Sequence, residues 1–387
     1  MNTEFNYPQG KLTLHRWPLK QPNNSLQAWD AADELLLQHA FEAIEHYQQQ
    51  HAALPSVLII NDSFGALSCA LAHCRQVQIN DSWLAQQATL YNRQQNALGN
   101  ENLQQQSSID AYPAAPDIVL LKIPANHSYL RYILRQLATS VNAETIILAS
   151  AKAKDITRNV LAVFQQELGQ ATASLTVKKC RLVTVNSLNT TPSTDKEVFP
   201  LCWPLENTPF TIVNHANVFA REKLDLGARF LLEHLPAISA GDRVIDLGCG
   251  NGVLALLLLQ QQPDATLLLC DESWMAIASA QETIARNLPQ HLAQCRFITD
   301  DSLSQQPATS ADVIICNPPF HQQQAVTTHI ASQMFQDAKR VLSQGGRLRI
   351  VANRHLNYAE QLKRLFGNCR LVAGNPKFVI LEAVKRS

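Results

Sequence analysis

The sequence predicts two tandem doubly wound α/β domains of Rossmann-like plan, the first a degenerate copy of the second. Three observations lead there. Short apolar runs alternate with amphipathic segments on both sides of a polar stretch, the pattern of a parallel sheet with helices on both faces. A length of 387 residues suits about two domains of ordinary size. Finally, Val57-Leu-Ile-Ile-Asn-Asp-Ser-Phe-Gly65-Ala-Leu lines up with Val244 to Leu254 at an offset of 187, so one unit occurs twice.

In the second half, Val244–Leu247 is a short run closed by glycines and reads as a buried strand. Val253–Gln261 follows as a helix. Thr266–Cys270 is the second strand, and Trp274–Asn287 carries helical spacing. Arg296–Thr299 and Val313–Cys316 are the third and fourth strands. Thr328–Leu342 is helical, and Gly345-Gly346 reads as a tight turn before the strand Arg347–Ala352. Tyr358–Phe366 forms one more helix, and Phe378–Ala383 closes the sheet.

The first half keeps this apolar framework and loses most ligand-type residues. Asn61 and Ser63 stand where the second half has Gly248 and Gly250, and Ile59 where it has Asp246. Asn80 falls opposite Asp271, and Lys122 and Ile123 fall opposite Asn317 and Pro318. The stretch from about Asn186 to Asn207, whose Ser, Thr, Pro and Asn residues form no apolar period, reads as a linker, set at 191–207 between domains 1–190 and 208–387. A domain without a site is left with recognition or folding support. Lys152, Lys154, Arg158, Lys178, Lys179 and Arg181 are its densest cations, either a binding patch or a solvated face.

Composition narrows the function further. At 46% hydrophobic and 17% charged residues, the chain is neither disordered nor fibrous. Lysine plus arginine, at 32, equals aspartate plus glutamate, at 32; residues 1–200 hold 15 basic and 16 acidic side chains. A non-specific polyanion coat needs a basic surface, so any nucleic-acid partner is held by local patches and a shaped pocket. Nine cysteines form no CxxC pair, so no zinc or other metal site is expected. The first residues lack a basic stretch followed by an apolar run, and no apolar segment is long enough to span a membrane. The expectation is a cytoplasmic protein.

The chemistry sits in two stretches. In Val244-Ile-Asp-Leu-Gly-Cys-Gly-Asn-Gly252, Asp246 lies near the strand end, and Gly248, Gly250 and Gly252 let the backbone turn and bring a ligand to a helix N-terminus. Val253 stands where a dinucleotide fingerprint needs its third glycine, which counts against NAD and FAD. Asp271 ends the next strand, where a carboxylate accepts from ribose hydroxyls. Asn317-Pro-Pro-Phe320 follows the fourth strand. Its prolines cannot continue the sheet, and their stiff turn can present the Asn317 side-chain oxygen and the Pro318 carbonyl as acceptors. Phe320 offers a ring for stacking on a planar base. The bland alternative is a strand-ending turn with a core phenylalanine.

These residues resemble the class I S-adenosylmethionine-dependent methyltransferases. The resemblance implies that Gly248, Gly250 and Gly252 lie against the cofactor, with Asp246 beside them, that Asp271 binds its ribose, and that Asp301 contacts its adenine. Asp300 competes for that last assignment. His215-Ala-Asn-Val-Phe-Ala-Arg-Glu-Lys-Leu-Asp-Leu-Gly227, Asn317-Pro-Pro-Phe-His321 and Val351-Ala-Asn-Arg-His-Leu-Asn-Tyr358 look like the bacterial ribosomal RNA guanine-N2 methyltransferases, the large-subunit branch more than the small-subunit one. The match implies methyl transfer to a guanine of 23S ribosomal RNA, and it leaves the first domain RNA recognition, with its cation cluster as an RNA-facing patch, or folding support. The same chemistry on 16S RNA, on adenine or on a glutamine amide stays open. Asn317, Pro318 and Phe320 are then the catalytic candidates, with Pro319, His321 and Arg354 near the substrate. His321 and Arg354 have solvated alternatives. Cys249 and Cys316 lack an adjacent base and read as packing. Arg221 and Asp225 either close over the cofactor or serve a helix cap or salt bridge.

Overall fold

The computed structural model describes residues 2–19, 26–191, 193–319 and 325–386, with only the backbone for 325–328. The chain divides into two compact units, Met1–Val198 and Phe199–Ser387.

After a hairpin of Glu4–Tyr7 and Gly10–Thr13, the first unit runs α1 (Ala31–His51), β1 (Ser56–Ile60), α2 (Ala66–Ala70), β2 (Arg75–Asn80), α3 (Trp83–Gln95), β3 (Leu103–Ser107) and β4 (Ile118–Lys122). It continues with α4 (His127–Ser140), β5 (Ile146–Lys152), α5 (Arg158–Glu167), β6 (Gly169–Ala173) and β7 (Cys180–Leu188). Its sheet has the order β3-β2-β1-β4-β5-β7-β6, with only β7 antiparallel to its neighbours.

The second unit opens on a hairpin of Leu201–Pro204 and Thr211–Asn214 and the short α6 (Leu226–Leu232). Then come β8 (Arg243–Leu247), α7 (Val253–Gln261), β9 (Thr266–Asp271), α8 (Trp274–Asn287), β10 (Cys295–Thr299) and β11 (Ala311–Cys316). The last elements are α9 (Ala325–Val341), β12 (Leu342–Asn353), α10 (Tyr358–Phe366), β13 (Arg370–Gly374) and β14 (Phe378–Val384). The sheet order, β10-β9-β8-β11-β12-β14-β13, repeats that of the first unit. One apolar core lies around α7 and α8, with Leu254, Leu258 and Ile284; another lies around α9 and α10, with Phe335 and Leu362. Burial on both faces explains why the central strands are nearly unbroken apolar runs.

The duplication holds at the level of register and packing. Val57 pairs with Ile118 in the first sheet, and Val244 with Val313 in the second. Gly65 (φ 83°) caps α2 and Gly252 (φ 77°) caps α7. A Cβ would lie 2.8 Å from the Thr89 Cα at Gly65 and 3.0 Å from the Ala280 Cα at Gly252. Each glycine serves two needs, a left-handed backbone and a helix–helix approach with no room for a side chain.

Three expectations change. The segment 191–207 is no uniform linker. Asp195 pairs with Arg131 at 3.0 Å within the first unit, whereas Leu201–Pro204 is already a strand of the second. Gly345-Gly346 is not a turn between helix and strand, because extended pairing begins at Leu342 opposite Ala311 and resumes at Arg347 opposite Val313. The glycines form a bulge inside β12. Strand β13 was not foreseen; it is a half-exposed edge without a buried apolar run.

Candidate active site

The glycine turn leaves β8 and is pinned to the end of β9. Gly248 and Cys249 N–H groups donate to the Cys270 carbonyl at 2.8 and 3.0 Å, and the Gly250 N–H donates to Asp271 Oδ2 at 3.0 Å. Asp271 Oδ1 accepts from the Ser273 N–H at 3.0 Å. Both oxygens are thus oriented by backbone donors, which fixes the carboxylate beside the glycine turn. Gly248 (φ 71°) and Gly250 (φ 52°) have left-handed backbones. A Cβ on Gly250 would meet nothing within 4 Å, and one on Gly248 only the Met334 Cε at 3.4 Å. The turn therefore presents bare backbone to an open face, while Gly252 is spent on packing.

Asp246 is enclosed, with no exposure. Its Oδ2 accepts from the Ala255 N–H at 3.2 Å, and its Oδ1 has no partner among the described residues. Burial, with a smaller push from Asp271, raises the carboxyl to about 7. An acid raised above its unfolded value of about 3.9 costs stability as pH climbs from about 4 to about 7, because only the unfolded chain ionises there. Asp246→Asn removes this loss. Its melting temperature relative to the wild type is expected to rise between pH 4 and 7 and level off above; a pH-independent difference would show that Asp246 is ionised in the fold.

Past β10, Asp300 is consumed by its own loop, accepting from Ser304 Oγ at 2.5 Å and the Gln305 N–H at 3.0 Å. Asp301 is half-buried, and burial, reinforced by Asp337 and Asp300, lifts its carboxyl to about 6. Of the two acids, Asp301 is the one not committed to this loop turn.

Asn317 follows the end of β11. Its Nδ2 donates to Asp225 Oδ2 at 3.4 Å, and its buried Oδ1 has no partner among the described residues. The Pro319 carbonyl accepts from the buried Tyr358 hydroxyl at 3.4 Å, so α10 holds the Pro-Pro turn from behind. Phe320 and His321 lie outside the described residues. Cys249 and Cys316 are buried and their thiols are pushed far up, which suits packing. Arg354 spends Nε and Nη2 on the Asn375 carbonyl, at 2.9 and 2.7 Å, within its own loop cluster. Arg221 is buried with its guanidinium 4.9 Å from the Phe199 ring centroid, and Asp225 caps α6 by accepting from the Ala228 N–H at 2.9 Å. The capping alternative for Asp225 holds, and a contact with Asn317 is added. Tyr358 had no assigned role in the sequence; a tyrosine opening a helix just past an active-edge strand was the available signal.

At the corresponding edge of the first unit, side chains are tied to one another. The buried Tyr129 donates its hydroxyl to Asn61 Oδ1 at 3.1 Å, and Lys122 is locked to Asp30 at 2.7 Å and Asp33 at 2.8 Å. The cation patch is partly spent too: Lys178 pairs with Glu34 at 2.6 Å, and Arg181 donates to the Ser174 carbonyl at 2.7 Å.

A seven-stranded sheet of this order, a glycine turn after its central strand, an acid ending the next and an Asn-Pro-Pro turn after the fourth define a class I methyltransferase. Two family descriptions match the chain: "RLMG N-terminal domain" over residues 2–189 and "Methyltransferase small domain" over 209–382. The ribosomal RNA large subunit methyltransferase G of Pseudoalteromonas translucida is 45% identical over 377 residues, covering 97% of this chain and 96% of that protein. Its counterpart in Klebsiella pneumoniae is 47% identical over 373 residues, covering 96% of each. Among solved structures, the T. thermophilus 16S rRNA N2 G1207 methyltransferase in complex with AdoMet and guanosine superposes with a TM-score of 0.75. It covers 99% of this chain and 98% of its own at 19% identity, a likeness of fold. The chain belongs to the ribosomal RNA large subunit methyltransferase G family.

Proposed function

We propose that the second unit transfers a methyl group from S-adenosylmethionine to the exocyclic N2 amino group of a guanine in 23S ribosomal RNA. One observation carries the chemistry: the buried Oδ1 of Asn317, without a partner among the described residues, at the carboxyl edge of the sheet. The residues present fit the cofactor. Gly248 and Gly250 offer an open backbone face, the Asp271 carboxylate fixed beside it is of the type that accepts from ribose hydroxyls, and Asp301 is placed for an adenine amino group. When bound, the cofactor supplies an electrophilic methyl group on a sulfonium. Asp246, fully enclosed, acts behind the turn by holding the α7 backbone.

The chain's own groups do the rest by position. A guanine amino nitrogen is a poor nucleophile because its lone pair is delocalised into the ring. Asn317 Oδ1 and the Pro318 carbonyl accept its two hydrogens and favour a nitrogen whose lone pair points at the methyl carbon; the nitrogen–carbon bond would form as the carbon–sulfur bond breaks, and one N–H proton would leave to solvent afterwards, when the nitrogen is cationic and acidic. Fixed acceptors in a site shielded from water act without reorganisation. The base must be unpaired or flipped out; stacking on it is the role assigned to Phe320, and contact with the RNA the role assigned to His321 and Arg354. The first unit contributes RNA recognition through Lys152, Lys154, Arg158 and Lys179, and the place of action is the cytoplasm.

The test is transfer of tritiated methyl groups onto ribosomal RNA that lacks the modification, followed by nucleoside analysis. Label is expected in N2-methylguanosine of the 23S species. Label in 16S RNA, in N6-methyladenosine or in a protein glutamine amide would overturn the substrate assignment.

A further inference from the structure

Both units carry the same joint between the residue at the end of the fourth strand and the cap of the helix before the sheet. In the first, Asp30 caps α1, accepting from the Ala32 N–H at 2.9 Å, and also accepts from Lys122 Nζ at 2.7 Å. In the second, Asp225 caps α6, and its Oδ2 accepts from both the Ala228 N–H and Asn317 Nδ2. Lys122 and Asn317 occupy the same place, because β4 and β11 pair with their central strands in one register. An ammonium only donates and a carboxylate only accepts. The copy without a site has therefore kept the donor half of the Asn317 contact and dropped the acceptor half.

We infer that Asp225 is a positioning residue, which fixes the Asn317 amide with its oxygen toward the substrate amine; this rests on the methyl-transfer reading above. A side-chain amide has two ends of similar shape and opposite polarity, and a flip would aim an N–H at the amine that must be accepted. Asp225 can bind only the NH2 end. Its own carboxylate is held by the first turn of α6, so the preference is set before substrate arrives. That leaves Asn317 Oδ1, buried and without a partner among the described residues, as the end on offer.

Three variants of the full chain separate positioning from simple support of α6. Asp225→Ser keeps a capping oxygen but is too short to reach Asn317; Asp225→Asn keeps an acceptor for both contacts and loses only the charge; Asp225→Ala loses both. With ribosomal RNA as substrate, Asp225→Ser is expected to lower kcat by about tenfold or more, as misplacing a reacting group does. Its KM for RNA and its Kd for S-adenosylmethionine stay within about twofold, because neither rests on the amide's orientation. Asp225→Asn restores most of kcat, and Asp225→Ala adds a lower melting temperature. A wild-type kcat in Asp225→Ser, or an equal loss in Asp225→Asn, would sink the positioning role. A wild-type chain that labels no guanine would instead sink the substrate assignment.

Discussion

Asn317→Ala is expected to lower kcat for methyl transfer by about 10²–10³-fold, the usual effect of removing one preorganised polar contact to a reacting group. The side chain offers one acceptor, Oδ1, in a buried position with no partner among the described residues. Removing it leaves the Pro318 carbonyl alone against an amine with two hydrogens. Asn317 also gives up one donor contact to Asp225, at 3.4 Å on a half-buried loop, so the stability loss is small beside the rate loss. The proposed cofactor face, Gly248, Gly250 and Asp271, does not include Asn317, so the Kd for S-adenosylmethionine should stay within about twofold while single-turnover rates collapse. Equal rates for variant and wild type would remove Asn317 from the chemistry.

Asp271→Ala should raise the Kd for S-adenosylmethionine by about 100-fold, read by isothermal titration of the full chain. Hydrogen bonds to a charged acceptor contribute about 1.5–3 kcal/mol each. The substitution removes the acceptor for ribose hydroxyls and also frees the Gly250 N–H, which now donates to Oδ2 at 3.0 Å and holds the turn in shape. Asp271→Asn keeps one acceptor oxygen and should fall between. An unchanged affinity in Asp271→Ala would show that the ribose is held elsewhere.

The parts of this site that could be read from the sequence are the ones in which a short segment states its own constraint. Three alternate glycines after Asp246 announce a backbone turn, and the observed left-handed φ values of Gly248, Gly250 and Gly252 follow. Two prolines after Cys316 end a strand wherever they occur. The apolar runs marked most strands for the same reason, since both faces of the sheet are covered. Elements with less to bury escaped: β13 is a half-exposed edge, and α6 is a seven-residue helix. A glycine pair such as Gly345-Gly346 permits both a turn and a bulge, and the choice between them rests on pairing with β11.

By itself, the order of residues determined the fold class and the two candidate site loops, because each depends on neighbours a few positions apart, and the duplication, because one local pattern recurs 187 positions on. Tertiary structure decided how those loops are aimed. Asp225 reaches Asn317 across 92 positions of chain, and Tyr358 reaches the Pro319 carbonyl across 39. Tertiary structure also separated Asp300, turned into its own loop, from Asp301, and put Tyr129 and Lys122 into the first unit's site edge. Local propensity sets which way the backbone bends. Only the packed sheet brings distant strand ends and helix caps together, and such contacts settle which end of an amide or which of two adjacent carboxylates is left for a ligand.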